Sequence, residues 1–245
     1  MAITHQQDNV HLFFGNRTTE VSSVENMRKW RQGGDVLRDS AFSFLQHTLP
    51  VSALFFPHQV HGIAGIHIHQ GTINALSSFT QEADFMHTDT PGIGLGILTA
   101  DCVPVIFYDL EHHALAVAHV GWRGCVRGIV AEVYKALHMA YGTTASALTV
   151  FIGPAARRCC YRVNQDFIDM VQDISWCKGA IVLQNNAIFF DMIECIIKQL
   201  EDCKIGTEKI HADYISCTIC DEQFCSYRRD GVCAKRQITA AVLHS

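Results

Sequence analysis

The sequence predicts an α+β fold, with mixed β-sheets flanked by helices in a single domain over residues 1–245. Strand-like and helix-like segments follow one another without the strict alternation that produces a doubly wound parallel sheet. No repeat or low-complexity linker divides the 245 residues. With 49% hydrophobic and 18% charged residues, the composition is that of a globular protein with a sizeable core.

Strands come first in the predicted order of elements. Short ones are expected over residues 11–16, 51–56 and 62–68. The apolar segment 94–98 then leads into two buried strands, Val103–Tyr108 and Ala114–His119. A polar turn at residues 109–113 joins these two strands and is typical of a hairpin.

The hairpin also predicts which side chains meet. If its turn is centred near residues 111–112, residue 104 pairs with 119 and residue 102 pairs with 121. Directly paired and alternate residues share a face of the sheet. Cys102 and His119 would then lie on one side, about 7–8 Å apart along a diagonal.

Helices dominate the predicted second half. Apolar residues recur at three- and four-residue spacing from 124 to 141, which predicts an amphipathic helix ending at Gly142. Asn164 and Asp191 stand where two further helices begin, and Asn164 is a good N-cap. The remaining elements are a strand over residues 148–152, helices over 164–173 and 191–202, and short strands and loops in the last 30 residues.

Composition excludes several classes of function. A formal net charge of -5 argues against binding to a nucleic-acid backbone. No apolar run reaches the length of a membrane span, and the N-terminal residues lack the pattern of a secretory signal. A cytoplasmic protein is therefore expected, in which the eleven cysteines are free or bound to metal.

Three short motifs in the middle third of the chain offer metal ligands. They contain one thiol, Cys102, and three imidazoles, those of His58, His61 and His119. Cysteine and histidine are ligands for zinc and for copper, and a site with three protein ligands keeps one coordination position open. His58 and His61 are three residues apart, so on a strand they would point to opposite faces and only one would be a ligand.

Two other stretches are candidate anion sites. Gly121–Gly124 precedes a predicted helix and includes Arg123, which suits a phosphate site or a tight packing turn. Tyr227–Gly231 contains Arg228 and Arg229, which either bind an anion or pair with Asp230.

The C-terminal cysteines suggest a different possibility. Cys217 and Cys220 have the spacing of a zinc-ligand pair, with Cys225 and Cys233 following. A zinc-binding interaction module without enzymatic activity is one alternative for the whole chain. The adjacent Cys159 and Cys160 are expected to be structural.

Several motifs, in order from about residue 57 to 240, resemble one known family. They are Gln59-Val60-His61-Gly62, Thr99-Ala100-Asp101-Cys102-Val103-Pro104-Val105, Ala118-His119-Val120-Gly121-Trp122-Arg123-Gly124, Ile152-Gly153-Pro154, Cys160-Tyr161-x-Val163 and Cys217-Thr218 with Phe224-x-Ser226-Tyr227-Arg228-Arg229-Asp230-Gly231. The family is the one long labelled multicopper polyphenol oxidase, or laccase-domain protein. It is now understood as a family of zinc-dependent purine nucleoside phosphorylases with adenosine deaminase activity.

The resemblance implies a metalloenzyme that acts on adenosine, inosine and methylthioadenosine, with phosphate as a second substrate. It implies that His61, Cys102 and His119 bind Zn2+, with His58 left out. Asp101 would act as a base or orient a ligand, beside Cys102 and Arg123 in the catalytic group. Candidates for contacts with the substrate or phosphate are Gln59, Gly121, Arg123, Gly124, Arg228 and Arg229.

The chain departs from the family pattern in three places, which bear on substrate preference. The N-terminal pattern is kept only approximately, at residues 16–19 and at Asn26. Ala155 replaces the usual cysteine after Gly153-Pro154, and Ala234-Lys235-Arg236 stands where a Gly-Arg is expected.

Two further enzyme functions remain open alternatives. One is copper-dependent polyphenol oxidation, the older family label. The other is a hydrolase that edits cell-wall peptide precursors, with Cys102 as its nucleophile. The sequence leaves the oligomeric state open.

Overall fold

The computed structural model describes residues 2–21 and 35–244. Asn26 lies outside these residues. Within them the predicted fold class is confirmed, because mixed sheets pack against helices. None of the helices described is both long and apolar enough to span a bilayer.

The first sheet is built from strands at both ends of the chain. Its strands are β1 (Ile3–Gln7), β2 (Val10–Phe14), β3 (Glu20–Val21), β4 (Ala53–Phe55), β7 (Ile93–Thr99) and β15 (Arg236–Leu243). They lie in the order β1-β2-β15-β7-β4, with β3 also paired to β15. The pairs are antiparallel except for β4 with β7.

The second sheet contains the hairpin. Its strands are β5 (Gly65–His67), β6 (Phe85–Thr88), β8 (Val103–Asp109), β9 (Ala114–Val120), β10 (Leu148–Ile152) and β14 (Ile210–His211), in the order β14-β10-β8-β9-β6-β5. In the β8–β9 hairpin Pro104 pairs with His119, which confirms the predicted register. A third, small sheet has the order β11-β13-β12, with β11 at Arg162–Val163, β12 at Ile181–Gln184 and β13 at Ala187–Phe190.

Three apolar clusters stack these elements into layers. One fills the space between the first two sheets and includes Leu12, Leu95, Ile106 and Val117. Side chains alternate in direction along a strand, so each sheet also covers an outer cluster. The outer face of the first sheet packs on residues 36–56 and Phe79. The outer face of the second packs on helices.

Six α-helices occur in the described part of the chain. They are α1 (Leu45–Thr48), α2 (Trp122–Val126), α3 (Ile129–Tyr141), α4 (Gln165–Val171), α5 (Met192–Asp202) and α6 (Tyr227–Asp230). Asn164 and Asp191 cap α4 and α5 by accepting backbone N–H groups, as predicted for Asn164. Short 3-10 turns occupy several connections.

Two predicted elements are wrong in extent. The single helix over 124–141 is two helices, α2 and α3, because Gly128 adopts a left-handed conformation with φ of 82° between them. The last 30 residues are not limited to short strands and loops. They include β15, eight residues long and almost wholly buried, which lies between β2 and β7.

Candidate metal centre and its pocket

The chain crosses from the first sheet to the second between the end of β7 and the start of β8. Residues 100–102 form this crossover, and Asp101 within it adopts a φ of 88°. The loop that carries His61 approaches from one side, and His61 also has a positive φ, of 59°. Such conformations cost about 1–3 kcal/mol each and accumulate at functional sites.

The structure brings His61, Cys102 and His119 together. One ligand atom from each of these side chains lies within 4.8 Å of the others. The two imidazole rings are 4.8 Å apart, centre to centre, and nearly perpendicular. His58 is outside this group, with its Nδ1 3.8 Å from a carboxylate oxygen of Glu82.

A buried carboxylate that was not predicted as a site residue orients this cluster. Asp84 Oδ1 lies 2.7 Å from His119 Nδ1, which leaves His119 Nε2 for the cluster. The Asp84 carboxylate also accepts the backbone N–H groups of Val60, His61 and Gly62. One side chain therefore fixes both the His119 ring and the loop that carries His61.

The three groups shift one another's ionisation. Burial alone would raise the pKa of the Cys102 thiol, but the charge of His119 and hydrogen bonds from His119 and His61 lower that pKa to about 6. Burial works against the charged form of His119, yet Cys102 and Asp84 raise its pKa to about 9. Cys102 thus loses its proton readily, as a thiolate metal ligand must.

A cavity of about 400 Å³ opens over the cluster. It is lined by Gln59, His61, Leu98, Ala100, Asp101, Cys102, His119, Trp122, Arg123, Tyr161, Met192, Tyr227, Arg228 and Arg236. Trp122 and Tyr161 stand in the motifs quoted from the sequence, but no site role was assigned to them there. Met192 stands in none of these motifs, and its position in the pocket depends on tertiary packing.

Three arginines contribute charge to the pocket wall. The exposed Arg123 guanidinium lies 4.6 Å from the centre of the Trp122 ring, and that of Arg228 lies 4.4 Å from the centre of Tyr161. Arg228 also donates a hydrogen bond to the carbonyl of Arg162. These aromatic contacts hold the guanidinium groups at the mouth without neutralising them.

Asp101 connects the crossover to the C-terminal segment. One carboxylate oxygen accepts the Thr218 hydroxyl at 2.7 Å, and the other accepts the Arg228 backbone N–H at 2.6 Å. With both oxygens engaged, the geometry favours the positioning role over that of a base.

Arg229 does not line the pocket, contrary to the expectation of a phosphate contact. Its guanidinium donates to the carbonyls of Thr218 and Phe224 and forms an ion pair with Asp230. Of the two possibilities for this stretch, the structural pair with Asp230 applies to Arg229.

Gly121 and Gly124 allow close packing of the backbone around the cluster. A Cβ on Gly121 would lie 2.7 Å from the His61 ring and 3.2 Å from Cys102 Sγ, and one on Gly124 would lie 2.7 Å from the Gly62 carbonyl. Neither glycine lines the pocket, so their assignment as substrate contacts is not supported and the tight packing turn applies. The α2 helix is five residues long, so its dipole is weak.

Gln59 lines the pocket but is held by the first sheet. Its amide donates to the carbonyl of Leu98 and accepts the N–H of the same residue, both at 2.8 Å. This pair of bonds ties the loop that carries His61 to strand β7.

The C-terminal cysteines group differently from the prediction. Cys225 is buried beside Glu20, and Cys233 is exposed. Cys217 and Cys220 instead meet Cys159 and Cys160, with all four sulfur atoms within 4.8 Å of one another.

Comparison with known proteins gives this site a context. The sequence model of a family described as multi-copper polyphenol oxidoreductase laccase matches residues 35–244. A purine nucleoside phosphorylase of Clostridium acetobutylicum is 32% identical over 164 residues, 64% of this chain and 66% of that protein. A purine nucleoside phosphorylase of Aquifex aeolicus is 31% identical over 162 residues, 66% of this chain and 71% of that protein.

Two further similarities concern activity and fold. An adenosine deaminase from an unknown prokaryotic organism is 29% identical over 163 residues, 63% of this chain and 62% of that protein. The chain thus spans about two thirds of the length of these relatives. The crystal structure of the Neisseria meningitidis protein NMB0706 has the same fold, with a TM-score of 0.78 at 21% identity over 100% of this chain and 99% of that one.

Proposed function

Because this chain belongs to the multi-copper polyphenol oxidoreductase laccase family, and its relatives include purine nucleoside phosphorylases and an adenosine deaminase, we propose that it is a zinc-dependent purine nucleoside phosphorylase with adenosine deaminase activity. Adenosine, inosine and methylthioadenosine are its substrates, and the reaction takes place in the cytoplasm. The observation that carries the proposal is the convergence of His61, Cys102 and His119 beneath a pocket with arginines at its wall.

The donor set fits zinc. Two imidazole nitrogens and one thiolate are typical zinc ligands, and three protein ligands are the number found in catalytic zinc sites. The low pKa of Cys102 and the orientation of His119 by Asp84 meet the two requirements of such a site, a deprotonated thiol and a fixed ring. When bound there, zinc supplies Lewis-acid catalysis at its open position.

The pocket suits a nucleoside and an anion together. The rings of Trp122, Tyr161 and Tyr227 offer faces on which a purine base stacks. Arg123 and Arg228 bind the phosphate with charge-assisted hydrogen bonds. In phosphorolysis a phosphate oxygen bonds to C1′ of the ribose as the bond from C1′ to the base breaks, which yields the free base and ribose 1-phosphate.

Deamination uses the same bound purine. Water adds its oxygen at C6 of adenine, the amino group leaves as ammonia, and adenosine becomes inosine. The two reactions differ in the nucleophile and in the carbon that it attacks, and only phosphorolysis consumes phosphate.

Product analysis tests the proposal. Zinc-loaded protein is incubated with adenosine, with and without phosphate, and the products are separated by chromatography. We expect adenine and ribose 1-phosphate with phosphate, and inosine with ammonia without it. His61→Ala should abolish both, whereas the matched variant His58→Ala, from the same loop, should keep them. The absence of both adenine and inosine from the wild-type reactions would refute the proposal.

Copper-dependent phenol oxidation is the second candidate, and the family description favours it. Two histidines and a cysteine also form copper sites. A laccase, however, needs several coppers, and the described residues contain one histidine-containing cluster of this kind. Elemental analysis of the wild-type protein and of His61→Ala decides between zinc and copper at this cluster, because only the metal bound there is lost from the variant.

A further inference from the structure

A second cluster of possible metal ligands consists of four cysteines behind the pocket wall. Cys159 and Cys160 come from the segment that follows β10, and Cys217 and Cys220 from the segment before α6. The four sulfur atoms lie within 4.8 Å of one another, and none is in a disulfide. Thiolates bound tetrahedrally to zinc lie about 3.8 Å apart, given Zn–S bonds of about 2.3 Å. The observed spacing is therefore close to that of a four-cysteine metal site.

The backbone around Cys217 is arranged for a negatively charged sulfur. The backbone N–H groups of Cys220, Arg157 and Ile219 donate to its sulfur. Two of these donors belong to the Cys-x-x-Cys turn itself. A turn whose amides point at the first thiolate is pre-organised for a metal ligand.

The four sulfur atoms face one another within 4.8 Å. Four thiolates repel one another at this distance. A bound cation removes that repulsion, which is why metal binding deprotonates such clusters.

Both cysteine segments are held in place by hydrogen bonds. Ala155 forms a parallel bridge with Cys217, donates its N–H to Ser216 at 3.1 Å and accepts that of Thr218 at 3.1 Å. The Arg229 guanidinium donates to the carbonyl of Thr218 at 2.8 Å and to that of Ile219 at 3.2 Å. The half-buried Arg229 guanidinium and the bridge fix the two segments side by side.

We propose that Cys159, Cys160, Cys217 and Cys220 bind a structural zinc ion, at a site separate from the one that contains His61. Four thiolates complete a tetrahedral shell and leave no open position, so this zinc takes no substrate. It joins the segment ending in Tyr161, which lines the pocket, to the segment of Thr218, which holds Asp101. Its role is to fix two walls of the pocket relative to each other.

Zinc content of the full-length protein tests this site. The protein is purified under reducing conditions with zinc, and the metal is measured by mass spectrometry. We expect about two zinc ions per chain, one for each cluster. The double variant C159S/C220S should lose about one zinc, and so should His61→Ala. Cys159 and Cys220 are both exposed, so their replacement leaves the core intact.

Two controls make the result specific. Cys233→Ser, at another exposed cysteine, should keep the wild-type zinc content. Cobalt-substituted His61→Ala should show thiolate-to-cobalt charge-transfer absorption. This absorption should disappear when the same chain also carries C159S/C220S. The proposal is overturned if C159S/C220S keeps the wild-type zinc content, if His61→Ala removes all the zinc, or if thiol titration finds the four cysteines paired in disulfides.

Discussion

Asp84 is the residue on which the geometry of the candidate metal centre depends. Its side chain is fully buried, and its two oxygens engage His119 and three consecutive backbone N–H groups. A carboxylate that accepts from a metal-binding histidine fixes the orientation of the ring and increases its basicity. Asp84 itself belongs neither to the His61–Cys102–His119 cluster nor to the pocket lining.

We expect Asp84→Asn to lower zinc affinity by about 10–100-fold. The amide has the shape of the carboxylate, but it lacks the charge and turns one acceptor into a donor that faces backbone N–H groups. Competition with a chelator measures the affinity. Glu82→Gln, at an exposed carboxylate two residues earlier, is the control and should change little. An unchanged affinity in Asp84→Asn would show that the carboxylate does not tune the site.

Residue by residue, sequence reasoning found the cluster but not its support. The motifs that contain His61, Cys102 and His119 offer typical metal ligands, and the structure brings these three residues together. Asp84 stands between Ala83 and Phe85, and nothing in that stretch distinguishes it from a surface carboxylate. Asp84 has this role because His119 and the His61 loop, which are distant from it in sequence, contact it in the folded structure.

At the scale of elements, the junction of β9 with α2 controls how closely the cluster can pack. Gly121 at this junction has a φ of -78°, which any residue adopts, so the need for glycine there is purely spatial. The missing side chain is what allows His61 and Cys102 to approach the backbone.

Gly121→Ala should therefore reduce activity by about 10²-fold, since a shift of about 1 Å in a reacting group has that effect. The new methyl group displaces the His61 ring or Cys102 Sγ. Steady-state kinetics and zinc content measure the effect. Gly206→Ala, where the atoms nearest to the new methyl group belong to the exposed Glu208 side chain, should behave as wild type. Full activity in Gly121→Ala would contradict the close packing described for this junction.

Elements with strong local signals were predicted well, and the others were not. The β8–β9 register followed from the polar turn and the two apolar strands around it. The apolar spacing continues across Gly128 and therefore predicts one helix over 124–141. In the structure the helix is interrupted at Gly128. The β12–β13 hairpin was missed, although its turn residues Asn185 and Asn186 both have positive φ, a conformation that asparagine tolerates.

At the scale of the whole molecule, β15 unites the first sheet. It pairs with β2, β3 and β7 at once, and its side chains enter the clusters on both faces of that sheet. The sequence analysis did not predict this long strand, although Ile238, Thr239 and Val242 are typical of strands, because Ala240 and Ala241 interrupt them. Small side chains are tolerated at the centre of a sheet that is covered on both faces.

We expect Ile238→Ala to lower the free energy of unfolding by about 2–5 kcal/mol, because it leaves a cavity in the outer cluster of the first sheet. Urea denaturation followed by circular dichroism measures the change. Leu183→Ala is the control, since that side chain is 74% exposed, and it should change stability by less than about 0.5 kcal/mol. Equal losses in the two variants would contradict the central position of β15.

The place of β15 between β2 and β7 also sets an order of assembly. Its two neighbours are synthesised early, yet they have no contact with each other in the sheet until β15 arrives from the far end of the chain. Closing a loop of that length costs entropy before any of its contacts are gained, so the first sheet forms late in folding. The crossover at Asp101 leaves this sheet and is held by Thr218, so the pocket is complete only after the segment of Thr218 has been synthesised and β15 has paired.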